Sequence, residues 1–348
     1  LALMLAAGII AHHQKLSALL AAGILLLPAT QYPATTWWSK PDLDREYVLS
    51  LDVEHYFGNI QKMRKHLETD RQILWVTYYR NLYNATHPSE INSPVSLSRN
   101  LLAWNQPGTN GLILPVNPSA SFLSILFANE LWFTLGDMTM AEHCAMLSMI
   151  FSPRNSGSRM IKRLAEINLV NGDDEAALKY LRILDKTLLH KSWAEKRIPG
   201  QQTPRVKEWL EKKRRDIPTQ DHLRSGNDAV TSLRNLVASN AGNLRAYEYL
   251  LCYHLLSKDL RSFVEDYVPG KVSSSIFAEA LLIHLARQGN IRAEELIKYQ
   301  IPVKIAKEFA DYTRLYEAKD TSLKEKYGKT YWFYYHFATT EPGKESKP

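Results

Sequence analysis

The stretch Leu135–Pro153, LGDMTMAEHCAMLSMIFSP, indicates how the chain folds through the spacing of its small residues. Gly136 is followed by Ala141 after five residues, by Ser148 after twelve and by Pro153 after seventeen. A glycine that closes a turn, with small residues along one face of the next helix, lets two antiparallel helices approach closely. A proline then ends the second helix because it has no backbone N–H. The stretch therefore predicts a helix–turn–helix hairpin centred on Gly136.

The same outline recurs along the chain. The segment 159–184, RMIKRLAEINLVNGDDEAALKYLRIL, places Gly172 36 residues after Gly136 and follows it with Ala177. Further turns of this kind are predicted at Lys258, Gly289 and Gly58. No alternating run of β-branched residues is long enough to compete with the helical periodicity, which predicts an all-α fold. Stacked hairpins form a solenoid because each unit covers the apolar face of its neighbour, and the alternative is an irregular helical bundle.

The intervals resemble the tetratricopeptide repeat, whose period is about 34 residues. Ile125 and Trp132 precede Gly136 by eleven and four residues, as large apolar positions do in that repeat, whereas Asn129 and Ala145 depart from the pattern. The resemblance implies a tetratricopeptide-like α-solenoid over residues 42–337. In such solenoids the first helix of each unit lines a concave groove.

The N-terminal segment 1–38 is apolar and differs from the rest of the chain. It opens with LALMLAAGIIA, continues through HHQK into the apolar run Leu16–Tyr32, and ends at Trp37 and Trp38. An apolar helix with an aromatic belt favours a membrane span. We expect a transmembrane helical hairpin at the end of a truncated membrane domain. The alternatives are a secretory signal, a soluble buried hairpin and an accident of truncation.

Charge is unevenly distributed in an otherwise ordinary composition. The chain has 45% hydrophobic and 23% charged residues and a net charge of +7. Ten lysines and arginines against five acids lie in residues 191–225. The run Arg205–Arg215, RVKEWLEKKRR, is interpreted as a solvated helix face, with contact to anionic lipid as the second reading. Binding to nucleic acid is the least favoured reading, because stacking aromatics at the spacing of an RNA-binding module are missing.

Taken whole, the chain resembles an uncharacterised bacterial family of multi-pass membrane proteins with a tetratricopeptide-like soluble C-terminal region. The likeness rests on the N-terminal apolar hairpin and on three segments: KRLAEINLVNGDDEAALKYLRILDKTLLHKSWAEK (Lys162–Lys196), RAYEYLLCYHLLSKDL (Arg245–Leu260) and KTYWFYYHF (Lys329–Phe337). The resemblance implies a topology, with the family's first membrane helices absent from this sequence, and brings no activity. The aromatic segment is expected to cap the last repeat, and residues 338–348 are expected to be a disordered tail.

Counting back from the turn residues yields candidates for the solenoid groove. The polar side chains expected to face a bound protein or peptide segment are Glu130, Arg159, Lys162, Glu166, Arg245 and Glu248. A groove of mixed charge suits an extended peptide held by charge-assisted hydrogen bonds. Among these residues, Arg159 and Lys162 are predicted to anchor an acidic stretch.

Catalytic motifs are missing from the sequence. Cys144 and Cys252 lie 108 positions apart, and no helical pair of metal ligands, nucleophile elbow or phosphate-binding glycine loop occurs. We therefore expect no cofactor, metal or catalysis in this fragment. The expected function is a membrane-anchored helical-repeat protein that mediates protein–protein interaction or scaffolding. The alternative is an accessory solenoid domain of a multi-pass membrane enzyme, of the glycosyl or lipid-linked sugar transferase type, with its active site in the missing N-terminal part.

The expected location is the inner, cytoplasmic membrane of a bacterium. Lys15, in the turn of the hairpin, favours an extracytoplasmic solenoid by the positive-inside rule. Lys40 and Arg45, on the other flank, favour the opposite orientation.

Overall fold

The fold is helical throughout the part of the chain that the structure, a computed structural model, describes. The described residues are 42–69, 71, 73–86, 109, 111–116, 122–152, 157–219, 228–272 and 274–338. Every regular element in these ranges is an α-helix, which confirms the predicted all-α class. The predicted membrane hairpin, residues 1–38, and the predicted tail beyond residue 338 lie outside them. Within the described ranges, no helix has the length and apolar character needed to cross a bilayer.

The chain divides into two compact units, residues 1–66 and 67–348. The first unit holds α1 (Leu43–Tyr56) and nearly all of α2 (Ile60–Leu67). The helices of the second unit are, in order, α3 (Leu74–Thr86), α4 (Phe122–Leu135), α5 (Met138–Phe151), α6 (Ser158–Asn171), α7 (Asp174–Asp185), α8 (Lys191–Glu195), α9 (Pro204–Arg214), α10 (Ala229–Ser239), α11 (Leu244–Leu256), α12 (Leu260–Asp266), α13 (Ser275–Arg287), α14 (Ala293–Lys298), α15 (Val303–Glu317), α16 (Leu323–Tyr327) and α17 (Tyr331–Phe337).

The five predicted turn positions share a left-handed backbone. The φ angle is +70° at Gly58, +92° at Gly136, +82° at Gly172, +58° at Lys258 and +63° at Gly289. At each turn the next amide N–H donates to the carbonyl five residues before it, as from Asp137 to Trp132 and from Asp173 to Asn168, both at 2.9 Å. This hydrogen bond defines the Schellman motif that ends helices. The predicted helix ends are therefore confirmed.

At the turns of Gly136, Gly172 and Lys258, an aspartate immediately after the turn caps the next helix. Asp137 accepts a hydrogen bond from the Met140 amide at 2.8 Å, and Asp173 accepts one from the Ala176 amide at 3.0 Å. Such N-caps satisfy amide groups that a helix leaves without intrahelical partners. One helix therefore stops and another begins within two residues, which forces a tight hairpin.

Neighbouring helices of the second unit pack in chain order. The series α4 to α8 packs each helix against the next, and so does the series α10 to α13. Ala141, Ala145 and Ser148, the small residues of α5, are all buried. The spacing that predicted a close approach of helices thus corresponds to their buried face.

The connection after α9 folds back over the turn at Gly136. Asn243 Nδ2, at the start of α11, donates hydrogen bonds of 2.7 Å to the carbonyls of both Leu135 and Asp216. Arg245 adds a 3.0 Å bond to the Thr134 carbonyl. These contacts satisfy the last carbonyls of α4 and hold α11 against its end.

The aromatic segment at the C-terminus packs against preceding helices. Tyr331 and Trp332 of α17 are buried, and Trp332 Nε1 donates to the Glu279 carbonyl of α13 at 2.9 Å. Tyr331 and Tyr334 donate through their hydroxyls to the carbonyls of Leu255 and Leu256, at the end of α11. The segment therefore covers other helices, as expected of a capping element.

Candidate functional site

An ion-pair network joins α4 to α6. Glu130 accepts hydrogen bonds from Arg159 at 3.0 Å and from Arg163 at 2.5 Å. Arg163 also pairs with Glu166 at 2.9 Å, and its Nε donates to Asn129 Oδ1 at 3.0 Å. Bonds between charged groups are stronger than neutral ones. The network therefore fixes the polar faces of these two helices relative to each other.

Cations and aromatic rings interleave beside this network. We call this set the cation–aromatic cluster: Phe133, Lys162, Arg163, Trp193, Arg197, Trp209 and Lys213. The Arg163 guanidinium lies 3.9 Å from the centroid of Phe133, and Lys213 Nζ lies 4.5 Å from the same ring. Phe133 stacks on Trp209 at 6.3 Å.

A second aromatic centre of the cluster is Trp193. Its ring lies 4.1 Å from the Arg197 guanidinium and 5.2 Å from Lys162 Nζ. Cation–π attraction of this kind allows positive side chains to remain charged beside apolar rings. The aromatic rings of the cluster therefore stabilise several positive charges that lie close together.

Positive charge exceeds negative charge around the network and the cluster. Five cations, Arg159, Lys162, Arg163, Arg197 and Lys213, surround two carboxylates, Glu130 and Glu166. Burial lowers the pKa of Lys162. Burial, followed by the charges of Arg245 and Arg163, lowers the pKa of Lys213 to about 8. A bound anion would oppose both causes, because it would stabilise the charged forms of these groups.

Arg197 contributes a hydrogen-bond donor as well as charge. Its Nη1 donates to the Trp193 carbonyl at 3.2 Å. Its buried Nε has no hydrogen-bond partner among the residues that the structure describes. A buried donor without an acceptor is destabilising, so this side of the cluster is suited to an added acceptor such as a carboxylate.

Part of the basic run Arg205–Arg215 is used inside the fold. Lys213 Nζ donates to the Phe133 carbonyl at 3.3 Å, and Arg214 donates to the carbonyls of Leu169 and Val170 at 2.8 and 3.0 Å. These acceptors lie at the C-terminal ends of α4 and α6, where cations are favoured by the helix dipole. Arg205, Lys207 and Lys212 are exposed.

The predicted groove residues separate into three groups. Glu130, Arg159, Lys162 and Glu166 lie together at the network described above. Arg245 lies at its margin, 3.5 Å from Asp216 and close enough to Lys213 to affect its pKa. Glu248 lies half-buried on α11, near the Cys252 thiol, whose pKa is raised by burial and secondarily by this carboxylate.

Three cations of the cluster were missed from the sequence. Arg163 stands four residues after Arg159 and three before Glu166, a spacing that places the three on one helix face. Lys213 continues the stripe of Val206 and Leu210, which are both buried. The sequence could therefore have predicted both Arg163 and Lys213 as residues of the site. Arg197 lies between α8 and α9, where no helical period exists to reveal it.

A second candidate is a cavity of about 310 Å³ bounded by residues 113–116 and by α4, α5, α10 and α11. Trp132, Met140 and Tyr253 contribute to its wall, with Asp228 and Ser232 as polar groups. The Asp228 carboxylate already caps α10 through the Val230 amide, and a hydrogen bond from Thr231 lowers its pKa. The cavity is therefore less suited than the cluster to binding a charged ligand.

Within the described ranges, no three or more His, Cys, Asp and Glu side chains form a group able to hold a metal ion. Cys144 and Cys252 are both buried. His254 Nε2 lies 2.8 Å from Asp266, which also pairs with Arg234. This group joins α10, α11 and α12.

The comparisons with known proteins identify a family and no activity. The sequence model of a family described as a family of unknown function (DUF6057) matches residues 2–338. No curated protein and no solved structure matches the chain. The match confirms an uncharacterised family over nearly the whole chain, whereas the membrane and tetratricopeptide-like character expected of that family stays a prediction.

Proposed function

The chain belongs to the family of unknown function DUF6057, and we propose that it is a membrane-anchored helical-repeat protein that binds an acidic segment of another protein at the cation–aromatic cluster. The observation that carries the proposal is the surplus of half-buried cations there, five against two carboxylates. The Glu130 and Glu166 carboxylates are already paired with arginines. Further negative charge is therefore expected to come from a ligand.

The repeat part of the proposal rests on local geometry. Five left-handed turns occur at the positions predicted from the repeat spacing, and two series of helices in the second unit, α4 to α8 and α10 to α13, pack in chain order. A tetratricopeptide-like solenoid accounts for both features, because its units are hairpins that each bury a neighbour's apolar face. In such a solenoid α4 and α6 are first helices of successive units. Their shared ion-pair network would then line the groove.

The membrane part rests on the sequence of residues 1–38. Two apolar runs separated by a polar turn, and followed by Trp37 and Trp38, favour a hairpin in the inner membrane. Alkaline extraction of isolated membranes tests the anchor, and protease accessibility in spheroplasts tests the side on which the solenoid lies. Release of the chain at high pH would contradict an integral anchor.

Binding is tested with a defined acidic probe. The full chain, in detergent micelles, is titrated against a short fluorescein-labelled peptide rich in aspartate and glutamate, and binding is followed by fluorescence anisotropy. Removing two charges of the cluster, by Lys162→Gln with Arg197→Gln, is expected to weaken binding at least about tenfold, because each charged hydrogen bond contributes about 1.5–3 kcal/mol.

The matched control removes the same charge outside the cluster. Lys207→Gln with Lys212→Gln alters two exposed cations of α9 and should change the affinity by less than about twofold if only long-range attraction is lost. Equal weakening by both pairs would refute a specific site. A lysine-rich peptide of the same length serves as the probe that should not bind.

A further inference from the structure

The turn between α7 and α8 exposes two adjacent leucines. Leu188 is 97% and Leu189 84% exposed, the highest values among the large hydrophobic residues that the structure describes. Apolar side chains that point fully into water gain nothing from folding. Two of them side by side at the tip of a turn therefore indicate a contact that the described residues do not make.

The turn holds its leucines outward on a fixed backbone. The Thr187 amide donates to the Leu184 carbonyl at 2.9 Å, and the Lys191 amide donates to the Thr187 carbonyl at 3.2 Å. His190 Nε2 lies 3.3 Å from Ser158 Oγ, which ties the turn to the start of α6. The exposure of the leucines is thus part of an ordered turn.

Cations surround this apolar tip. Residues 179–192 contain four exposed lysines and arginines, Lys179, Arg182, Lys186 and Lys191, against one acid, Asp185. Ile183, on the outer side of α7, is also exposed. An apolar tip within a positive collar is complementary to a bilayer surface, whose interface accepts leucine and whose anionic headgroups attract lysine.

We infer that Leu188 and Leu189 insert into the interface of an anionic phospholipid bilayer, with Lys186 and Lys191 on the headgroups. A bilayer suits the tip better than a protein partner does, because two leucines on a protruding turn provide far less than the roughly 1,000 Å² of a stable protein interface. This contact is separate from the cation–aromatic cluster. It also differs from the predicted hairpin, since it involves residues of the second unit.

The experiment places an environment-sensitive fluorophore on the turn. Cys144 and Cys252 are buried, so Leu188→Cys in the full chain provides the reactive thiol. The chain is reconstituted with vesicles of phosphatidylcholine alone or of phosphatidylcholine with phosphatidylglycerol. We expect a blue shift of the emission, and quenching by nitroxide lipids, only in vesicles that contain phosphatidylglycerol.

Two variants make the test specific. The control label is placed by Ile297→Cys, at a position that is 77% exposed and lies beside Glu294 and Glu295, where no shift is expected. Adding Lys186→Gln and Lys191→Gln to the Leu188→Cys chain should raise the phosphatidylglycerol content needed for the shift, with an apparent affinity roughly 30-fold lower at about 1 kcal/mol per lysine.

Each other outcome overturns the inference. An unshifted label at position 188, an equal shift at position 297, or a shift in phosphatidylcholine alone would each contradict an anionic lipid contact. A shift that depends on protein concentration without vesicles would assign the leucines to a second copy of the chain. The hairpin can still insert when the label at 188 stays in water, so failure here leaves the proposed anchor and cluster standing.

Discussion

At the scale of single residues, identical turn positions have different surroundings. Gly136 and Gly172 both adopt left-handed backbone, with φ of +92° and +82°. A Cβ atom at Gly136 would lie 2.3 Å from the Asp216 carbonyl oxygen, whereas one at Gly172 would meet nothing within 4 Å. Gly172 is therefore required by its backbone conformation alone. Gly136 is required by its conformation and also by the connection that packs over it.

Alanine at these two positions separates conformation from contact. Gly172→Ala should lower the free energy of unfolding by about 1 kcal/mol, the strain of an L-residue in left-handed backbone. Gly136→Ala should lower it by about 3 kcal/mol or more, because overpacking against Asp216 adds to that strain. Urea unfolding followed by circular dichroism measures both values. Equal losses would show that the connection does not pack on the turn.

Lys213 makes the stability of the fold depend on pH. Its pKa falls from 10.5 to about 8 in the folded chain, so the folded state binds fewer protons than the unfolded state between these values. Stability rises with pH wherever the unfolded state binds more protons. The destabilising contribution of the charged Lys213 is thus complete below about pH 8 and fades as the pH rises toward 10.5.

Comparison with Lys213→Met isolates this contribution from other titrating groups. From pH 7 to about pH 9.5, the wild-type chain should gain free energy of unfolding relative to the variant, since only the wild type loses the charged amine. Urea titrations of both proteins across this range provide the difference. A difference that stays constant with pH would mean that Lys213 remains ordinarily solvated.

At the scale of elements, α17 joins the end of the chain to earlier helices. Trp332 is buried against the rings of Phe309, Tyr312 and Tyr327, and bonds to α13 through its indole. Phe337, one and a half turns later, is 50% exposed. The short helix therefore contributes mainly through its first turn.

A matched pair of truncations tests this role. Trp332→Ala should destabilise the fold by about 3–5 kcal/mol, because it leaves a large cavity and removes the indole hydrogen bond. Phe337→Ala should change stability by less than about 1 kcal/mol. Thermal melting of the two variants compares them directly. Similar melting temperatures for Trp332→Ala and the wild type would remove α17 from the core.

The features that could be predicted from the sequence are those that depend on residues close together in the chain. The turns at Gly136 and Gly172 could be predicted because the glycine that favours left-handed backbone and the aspartate that caps the next helix are adjacent in the sequence. Lys258, a turn without glycine, was found from the repeat outline alone. Counting back along two helices selected both Glu130 and Arg159 as groove residues, but it did not predict that they pair with each other. Arg197 joins the site from an irregular connection, so only the tertiary structure reveals it.

At the scale of the whole molecule, the proposed binding surface lies within the second unit. The surface gathers side chains from α4, α6, α9 and the segment around α8. Such a surface depends on several hairpins keeping their positions relative to one another. Binding should therefore be lost by changes in packing as well as by changes in charge.

The dependence of affinity on ionic strength separates the contribution of partly buried ion pairs from that of exposed charges. Raising the salt concentration from 0.05 to 0.5 M shortens the Debye length from about 14 to about 4 Å. Affinity for the acidic peptide should fall severalfold and then level off, because partly buried pairs are screened less than exposed ones. Anisotropy titrations at several salt concentrations provide the curve. Complete loss of binding at high salt would assign the attraction to exposed charges alone.

Hydrogen–deuterium exchange of the full chain, with and without the acidic peptide, tests whether the peptide binds at the cation–aromatic cluster. We expect slower exchange in peptides that cover α6 and residues 191–214, with no change in α15. At a peptide concentration that just saturates the wild-type chain, Lys162→Gln with Arg197→Gln should reduce this protection. Unchanged exchange at saturating peptide, or protection confined to helices outside the cluster, would contradict the proposed binding site.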